Sequence, residues 1–164
     1  VASRGRGDVY KRQPLDMAAR LSVVEYAGEI LCASVNHWDV KKIKEEGEKI
    51  RDSDHGGTSH AGEYETSLYL ALKPEFVDMS KAVDERSPLL PSFRTDLLAG
   101  RHPDGSVARL TPYWSQQTAS GVVGDATAAT VEKGERFLAA AVDGLVELIR
   151  ELKHQEILPR RDQH

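Results

Sequence analysis

The longest amphipathic segment of this chain runs from Ala126 to Lys153, after a glycine-bracketed turn that ends in Asp125. Its apolar side chains recur at intervals of three and four residues, as on one face of a helix, and charged side chains fill the other positions. Asp125 is a good N-cap for such a helix. We therefore predict a core helix, and its expected buried residues are Phe137, Leu138, Ala141, Leu145, Leu148, Ile149 and Leu152.

An earlier stretch predicts one helix followed by one strand. Met17, Leu21 and Val24 have helical spacing, and the apolar run from Ile30 to Val35 is typical of a buried strand. Cys32, the only cysteine, lies in this run. A single cysteine excludes an internal disulfide, and its apolar neighbours predict a buried thiol.

Trp38 follows the predicted strand, at the carboxyl end where open α/β sheets bind their ligands. We therefore predict that Trp38 lines a substrate pocket, and the alternative is a core tryptophan that closes the edge of the sheet. The charged segment from Lys41 to Asp52 predicts a solvated helix or loop.

Composition excludes several classes of protein. The 164 residues suit one domain with a real core, and 40% hydrophobic with 29% charged residues is ordinary for a globular protein. The net charge of -4 and the lack of a basic face with interleaved aromatics argue against nucleic-acid binding. No apolar run approaches the ~20 residues of a membrane span, so we expect a cytoplasmic protein. Because the charge argues against nucleic acid, we expect a small-molecule or peptide-like partner.

The two ends of the chain differ from its middle. Residues 1–13 are rich in arginine and glycine and lack helical or strand periodicity, and residues 8–13 resemble translated adapter sequence. We predict that they are a non-native or disordered leader, that residues 14–155 form one domain, and that residues 156–164 are a flexible tail. The native N-terminal part is then expected to be missing.

Residues 54–67 read DHGGTSHAGEYETS and concentrate histidines and carboxylates among glycines. We predict a helix from His60 to Lys73, with Ser59 as its N-cap and Pro74 at its end. On that helix His60 and Glu63 lie roughly 60° apart, whereas Glu65 points roughly 140° away from His60. Imidazole and carboxylate suit Zn²⁺, Mn²⁺ or Fe²⁺. The alternative is a solvated or capping pair without a metal.

Two segments carry a resemblance to a known family. Residues 60–78 read HAGEYETSLYLALKPEFVD, and residues 121–134 contain GVVGD followed by ATVEKG. In this order they resemble the C-terminal half of the creatininase (creatinine amidohydrolase) family, over roughly residues 17–155. The resemblance implies a three-layer α/β/α fold with a mostly parallel sheet, here lacking its N-terminal strands.

The resemblance also implies an activity and roles for single residues. It implies a metal-dependent amidohydrolase that hydrolyses an amide or cyclic amide C–N bond, with two Zn, Mn or Fe ions in the complete domain, and a homo-oligomer. His60 matches a proton shuttle, and Glu63 matches a metal-ligating carboxylate. Glu65 and Asp125 match structural supports, and Trp38 matches an aromatic near the substrate. The family's Glu-x-His and Asn-Gly-His motifs do not occur in this chain, so most of the ligands are expected to be missing.

Two alternatives stay open. Within the family, the alternative is a peptide-trimming or formamide-hydrolysing enzyme of cofactor biosynthesis. In a different class, it is a non-catalytic α/β interaction subunit that keeps the fold without the metals. The missing motifs favour the second alternative, whereas a retained His60 and Glu63 beside a glycine-rich loop favour an enzyme.

Overall fold

A computed structural model describes residues 8–90, 93–101, 110, 112–159 and 161. The helices are α1 (Asp8–Glu25), α2 (Lys41–Ile50), α3 (Glu63–Leu72), α4 (Trp114–Gln117) and α5 (Val131–His154). The strands are β1 (Asp84–Glu85), β2 (Thr95–Asp96), β3 (Gly100–Arg101) and β4 (Gly124–Asp125). β1 pairs with β4 and β2 pairs with β3, both antiparallel. Short 3-10 turns lie at His37–Asp39, Pro74–Phe76, Met79–Lys81 and Ala126–Ala128.

The core forms where α2 and α3 pack against α5. Tyr64 of α3 and Phe137 of α5 are completely buried, and their rings meet edge to face with centroids 4.8 Å apart. Ile43 of α2 is also completely buried in this cluster. The helices approach closely because α5 carries Gly134 at the crossing, where a Cβ atom would lie 1.9 Å from the carbonyl oxygen of Ser67.

Helix α5 confirms the predicted helix but begins a turn later. The side chain of Asp125 accepts the amides of Thr127 and Ala128 and so caps the 3-10 turn Ala126–Ala128. The N-cap of α5 is Thr130, whose hydroxyl accepts the amide of Lys133. An Asp cap followed by a Thr cap divides the predicted segment into a 3-10 turn and an α-helix.

Only the first half of the predicted stripe on α5 is core. Phe137 and Ala141 are buried, whereas Leu148, Ile149 and Leu152 are 37%, 52% and 39% exposed. The prediction that these three are buried was wrong for the described chain. Helices α2 and α3 have ten residues each, about 15 Å, so they cannot cover the 24 residues of α5, about 36 Å.

The predicted strand from Ile30 to Val35 is not a strand. These residues have no regular secondary structure, and Leu31 and Val35 are 40% and 47% exposed. Cys32 is a free, exposed cysteine, so the prediction of a buried thiol was also wrong. A buried strand needs neighbours that satisfy its backbone and cover its side chains, and no described strand pairs with this run.

Two other helices agree with the predicted patterns in part. Helix α1 contains Met17, Leu21 and Val24 as expected, but it begins at Asp8, so residues 8–13 of the proposed leader are helical. Whether that leader is foreign stays a prediction. Helix α2 confirms a helix in the charged segment, with one face buried through Ile43 and Ile50. No described helix has both the length and the apolar character needed to cross a membrane.

Candidate active site

The residues between α2 and α3, 51–62, form what we call the His60 loop. Helix α3 begins at Glu63 with Gly62 as its N-cap, so the predicted start at His60 was wrong. The reason is local, because Ala61 has a left-handed backbone with φ of 51° that no helix can continue. Ser59 does not cap α3, because its hydroxyl donates to the carbonyl of Thr95. The expected angles between His60, Glu63 and Glu65 on one helix therefore do not apply.

Three glycines let the His60 loop touch the start of α3 and the strand β4. The carbonyl oxygen of Gly57 accepts the amides of Glu63 at 3.0 Å and Asp125 at 2.8 Å. A Cβ atom on Gly62 would lie 2.2 Å from this oxygen, and one on Gly124 would lie 2.7 Å from it. Side chains at these positions would push the three segments apart. The concentration of glycine thus reflects close backbone approach.

Asp96 of β2 anchors the loop from the other side. Its buried carboxylate accepts the amide of Gly56 at 2.7 Å, receives the hydroxyl of Thr58 and pairs with Arg51 at 3.0 Å. Burial alone would raise the pKa of Asp96, but the hydrogen bonds from Thr58 and the backbone, together with the Arg51 charge, hold it below its ordinary value. Sequence reasoning missed this residue, since a lone aspartate between turns carries no signal of burial.

His60 and Glu65 come together at the end of the loop. The imidazole Nδ1 of His60 lies 3.7 Å from Oε2 of Glu65. The same oxygen accepts the amide of Ala61 at 2.6 Å, and the amide of Val123 donates to the carbonyl of His60 at 2.9 Å. The backbone of His60 is therefore anchored, and its side chain, which is 16% exposed, faces the Glu65 carboxylate. An imidazole in that setting can exchange protons with a ligand.

Trp114 of α4 forms one wall beside His60. The two rings meet at right angles, with centroids 4.8 Å apart and an interplanar angle of 88°. The indole N–H is buried, and no described residue accepts a hydrogen bond from it. Sequence reasoning missed Trp114, because nothing in the spacing between residues 60 and 114 links them.

Glu63 lies in a different environment from the one expected of a metal ligand. Its side chain is completely buried, and its oxygens accept the amides of Asp52 at 2.8 Å and Ser53 at 2.9 Å. The hydroxyl of Ser53 and the ammonium of Lys133 donate to it as well. Burial acts to raise the pKa of Glu63, but Lys133, Ser53 and the two amides lower it below its ordinary value. Glu63 is thus an ionised and hydrogen-bonded carboxylate.

The described residues do not fit a metal centre by themselves. No group of three or more His, Cys, Asp or Glu side chains among them is placed to hold an ion. At Glu63 the neighbouring cation is already an ammonium group, from Lys133. Lys133 belongs to the ATVEKG motif, yet the motif alone gives no reason to pair it with Glu63.

Trp38 and Asp125 are the two remaining predicted site residues. Trp38 is half-buried, packs against the hydrophobic core and contacts His37 edge to face at 4.8 Å. Its role at a substrate stays a prediction. Nδ1 of His37 lies 2.8 Å from the hydroxyl of Tyr64. Asp125, besides capping its turn, lies 3.7 Å from the guanidinium of Arg86.

A polar cavity of about 190 Å³ lies next to the His60 loop. Arg86 lies on its wall and pairs with Asp54 at 2.7 Å and with Asp84. Ser59, the neighbour of His60, also lines it. The cavity is lined by two carboxylates, Asp54 and Asp84, and by two guanidinium groups, Arg86 and Arg94, so its formal charges balance.

Comparisons with known proteins agree on one family. The family model described as "Creatininase: Creatinine amidohydrolase" matches residues 7–149. Creatinine amidohydrolase of Pseudomonas putida is 30% identical over 84% of this chain and 48% of its own length. The mycofactocin precursor peptide peptidase of Mycobacterium ulcerans (strain Agy99) is 37% identical over 57% of this chain and 33% of its own length.

Solved structures show the same fold. A creatinine amidohydrolase homologue from Bacteroides fragilis NCTC 9343 is 27% identical, aligns with a TM-score of 0.64, and is matched over 86% of this chain and 50% of its own. A manganese creatininase and a Zn-Zn creatininase mutant each align with a TM-score of 0.56 at 27% identity. They are matched over 87% and 94% of this chain, and over 50% and 54% of theirs. The chain spans about half the length of these relatives, and the α/β creatininase-like fold predicted from the sequence is confirmed. The chain belongs to the creatininase family.

Proposed function

We propose that this chain belongs to a hydrolase that cleaves an amide or cyclic amide C–N bond, and that it supplies the proton-transfer residues of the active site. The observation that carries the proposal is the pair formed by His60 and Glu65, with Nδ1 and Oε2 3.7 Å apart. Membership of the creatininase family, whose relatives include an amidohydrolase and a peptide peptidase, supports this reaction class.

The chemistry follows from the orientation of the imidazole. We assign the proton exchange with water or substrate to Nε2 of His60, because Nδ1 faces Glu65. His60 takes a proton from the attacking water and then gives it to the departing nitrogen. Glu65 orients the ring and stabilises the imidazolium that forms in between, as a carboxylate does in other acid-base sites. Trp114 keeps one side of the ring away from water.

A dinuclear Zn, Mn or Fe centre stays a prediction for the complete domain. Similar solved structures include manganese and Zn-Zn forms of creatininase. The described residues of this chain do not form such a centre, and we assign no step of the reaction to it. The homo-oligomeric state and the cytoplasmic location also stay predictions.

The proposed substrate is a small-molecule or peptide-like amide. The relatives differ in substrate, since one is named for creatinine, another for a mycofactocin precursor peptide and a third for 3-dehydro-scyllo-inosose. The second candidate is a non-catalytic interaction subunit. It is favoured by one observation, the lack of a metal-ligand cluster among the described residues.

The test compares His60→Ala and His60→Gln with the wild-type chain on creatinine, a short peptide and a formamide substrate. We use His154→Gln, at the exposed end of α5, as the matched histidine control. General acid-base catalysis predicts a loss of about 100-fold or more in both His60 variants and none in the control. Equal hydrolysis in all variants would refute the role of His60. No hydrolysis by the wild-type chain would favour the non-catalytic candidate.

A further inference from the structure

Lys133 reaches a pocket of oxygen atoms that surrounds its ammonium group. Nζ lies 2.7 Å from Oδ2 of Asp52 and 2.6 Å from the carbonyl oxygen of Ala128, and it donates to Oε1 of Glu63. An ammonium group has three N–H donors, and three acceptors meet it here. Burial would lower the pKa of Lys133, but Asp52 and Glu63 raise it above its ordinary value.

Glu63 has no room for a second cation. An ionised carboxylate offers about four acceptor sites. At Glu63 four donors use them, namely the amides of Asp52 and Ser53, the hydroxyl of Ser53 and the ammonium of Lys133. A metal ion bound to Glu63 would have to displace Lys133 or break a bond to the backbone. Either change would leave a buried polar group without its partner.

The contact joins parts of the chain that are far apart in sequence. Glu63 begins α3, Asp52 and Ser53 lie near the start of the His60 loop, and Lys133 lies in the first turn of α5. Since Glu63 is completely buried, its charge must be paired to be tolerated there. The ion pair therefore fixes the first residues of the His60 loop to the helix core.

We propose that the permanent cation at Glu63 is the ammonium group of Lys133 and not a metal ion, and that this pair positions the His60 loop. Lys133 is then a positioning residue, together with Glu63. The effect on His60 as an acid-base group rests on the proposed function. The pairing of Glu63 with Lys133 does not rest on the proposed function, because stability and metal content can be measured without any substrate turnover.

The first experiment is a double-mutant cycle with Glu63→Gln, Lys133→Met and the double variant, read by thermal unfolding. The matched control cycle uses Glu46→Gln and Lys49→Met, an exposed pair at 2.8 Å. We expect each buried single variant to lower Tm by roughly 10 °C, and the double variant by clearly less than the sum. The exposed pair should change Tm by less than about 2 °C. Additive shifts in the buried cycle would overturn the pairing.

The second experiment separates a lysine partner from a metal partner. Zinc content and Tm are measured for the wild-type chain and for Glu63→Gln, with and without a chelator. We expect the chelator to leave both Tm values unchanged and Glu63→Gln to leave the zinc content unchanged. A chelator-induced fall in the wild-type Tm that Glu63→Gln abolishes would overturn the proposal. If Glu63→Gln does not fold, a wild-type Tm that the chelator leaves unchanged still supports the proposal, and a wild-type Tm that the chelator lowers counts against it.

The third readout concerns the loop. At fixed pH the imidazole NMR signals of His60 should shift in Glu63→Gln and should not shift in Glu46→Gln. Lys133→Arg keeps a cation at this position and should shift the His60 signals less than Lys133→Met does. Unchanged His60 signals in Glu63→Gln and Lys133→Met would refute the positioning role. A loss of activity in His60→Ala with unchanged Tm would test the proposed function separately.

Discussion

The imidazole of His60 faces the carboxylate of Glu65 across 3.7 Å, even though His60 lies outside the helix that carries Glu65. The left-handed residue Ala61 turns the chain between them, and its amide donates to the same carboxylate oxygen at 2.6 Å. One carboxylate therefore accepts a hydrogen bond from the backbone of the turn and faces the ring that precedes it.

Glu65→Gln should lower turnover by about 10- to 100-fold without unfolding the chain. The glutamine oxygen can still accept the amide of Ala61, so the turn is kept while the negative charge beside His60 is lost. The measurement is kcat and Tm for Glu65→Gln and for Glu132→Gln, an exposed glutamate in the first turn of α5. Equal turnover in both variants would contradict a role for the Glu65 charge.

Gly62→Ala should destabilise the fold by about 3 kcal/mol or more. Its Cβ atom would lie 2.2 Å from the carbonyl oxygen of Gly57, and backbone atoms cannot move aside as a flexible side chain can. Gly28→Ala is the control, because Gly28 has φ of 80° and a Cβ atom added there would meet no other atom within 4 Å. Only the left-handed strain of about 1 kcal/mol is expected there. Urea unfolding of both variants measures the difference, and equal losses would refute the close-approach argument.

Tyr64→Phe should lower the free energy of unfolding by about 1 kcal/mol. The variant keeps the buried ring but removes the hydroxyl that lies 2.8 Å from Nδ1 of His37. Burial, with a smaller contribution from the charge of Glu65, raises the pKa of Tyr64, so the hydroxyl stays protonated at neutral pH. Tyr69→Phe, at a tyrosine that is 54% exposed, should be neutral. A stability loss in Tyr69→Phe as large as in Tyr64→Phe would show that the contact with His37 contributes nothing.

Stability near the turn at residues 118–121 should depend on acid pH. The hydroxyl of Ser120 and the amides of Ala119 and Ser120 lower the pKa of Glu85 from 4.5 to about 2. Because the folded pKa is depressed, the contribution of Glu85 is complete above about pH 4.5 and is lost as the pH falls toward 2. The amide NMR shifts of Ala119 and Ser120 should therefore titrate with a midpoint near 2. A midpoint near 4.5, or a titration that survives in Glu85→Gln, would contradict the assignment.

The sequence predicted features that depend on local patterns. The periodicity of α5 and the helical spacing of Met17, Leu21 and Val24 were sufficient to find two helices, because side-chain spacing follows the helical repeat. The family resemblance was confirmed for the same reason, since its motifs lie in contiguous segments.

Features that depend on distant partners could not be predicted. The run from Ile30 to Val35 has the composition of a strand, but a strand exists only where another one pairs with it. Ala61 has a left-handed backbone although alanine favours helices, because contacts at Gly57 and Val123 fix the turn. Sequence reasoning assigned Glu63 by motif, and its contact with Lys133 was visible only in three dimensions.

The carbonyl of Gly57 accepts one amide from the start of α3 and one from β4. The second donor, Asp125, comes from the far end of the chain, so the His60 loop cannot reach its final shape while the chain is still being synthesised up to α3. Folding of the candidate site therefore has to follow the arrival of β4 and α5. Local opening of β4 alone would therefore release one anchor of the His60 loop while the core between α2, α3 and α5 stays packed.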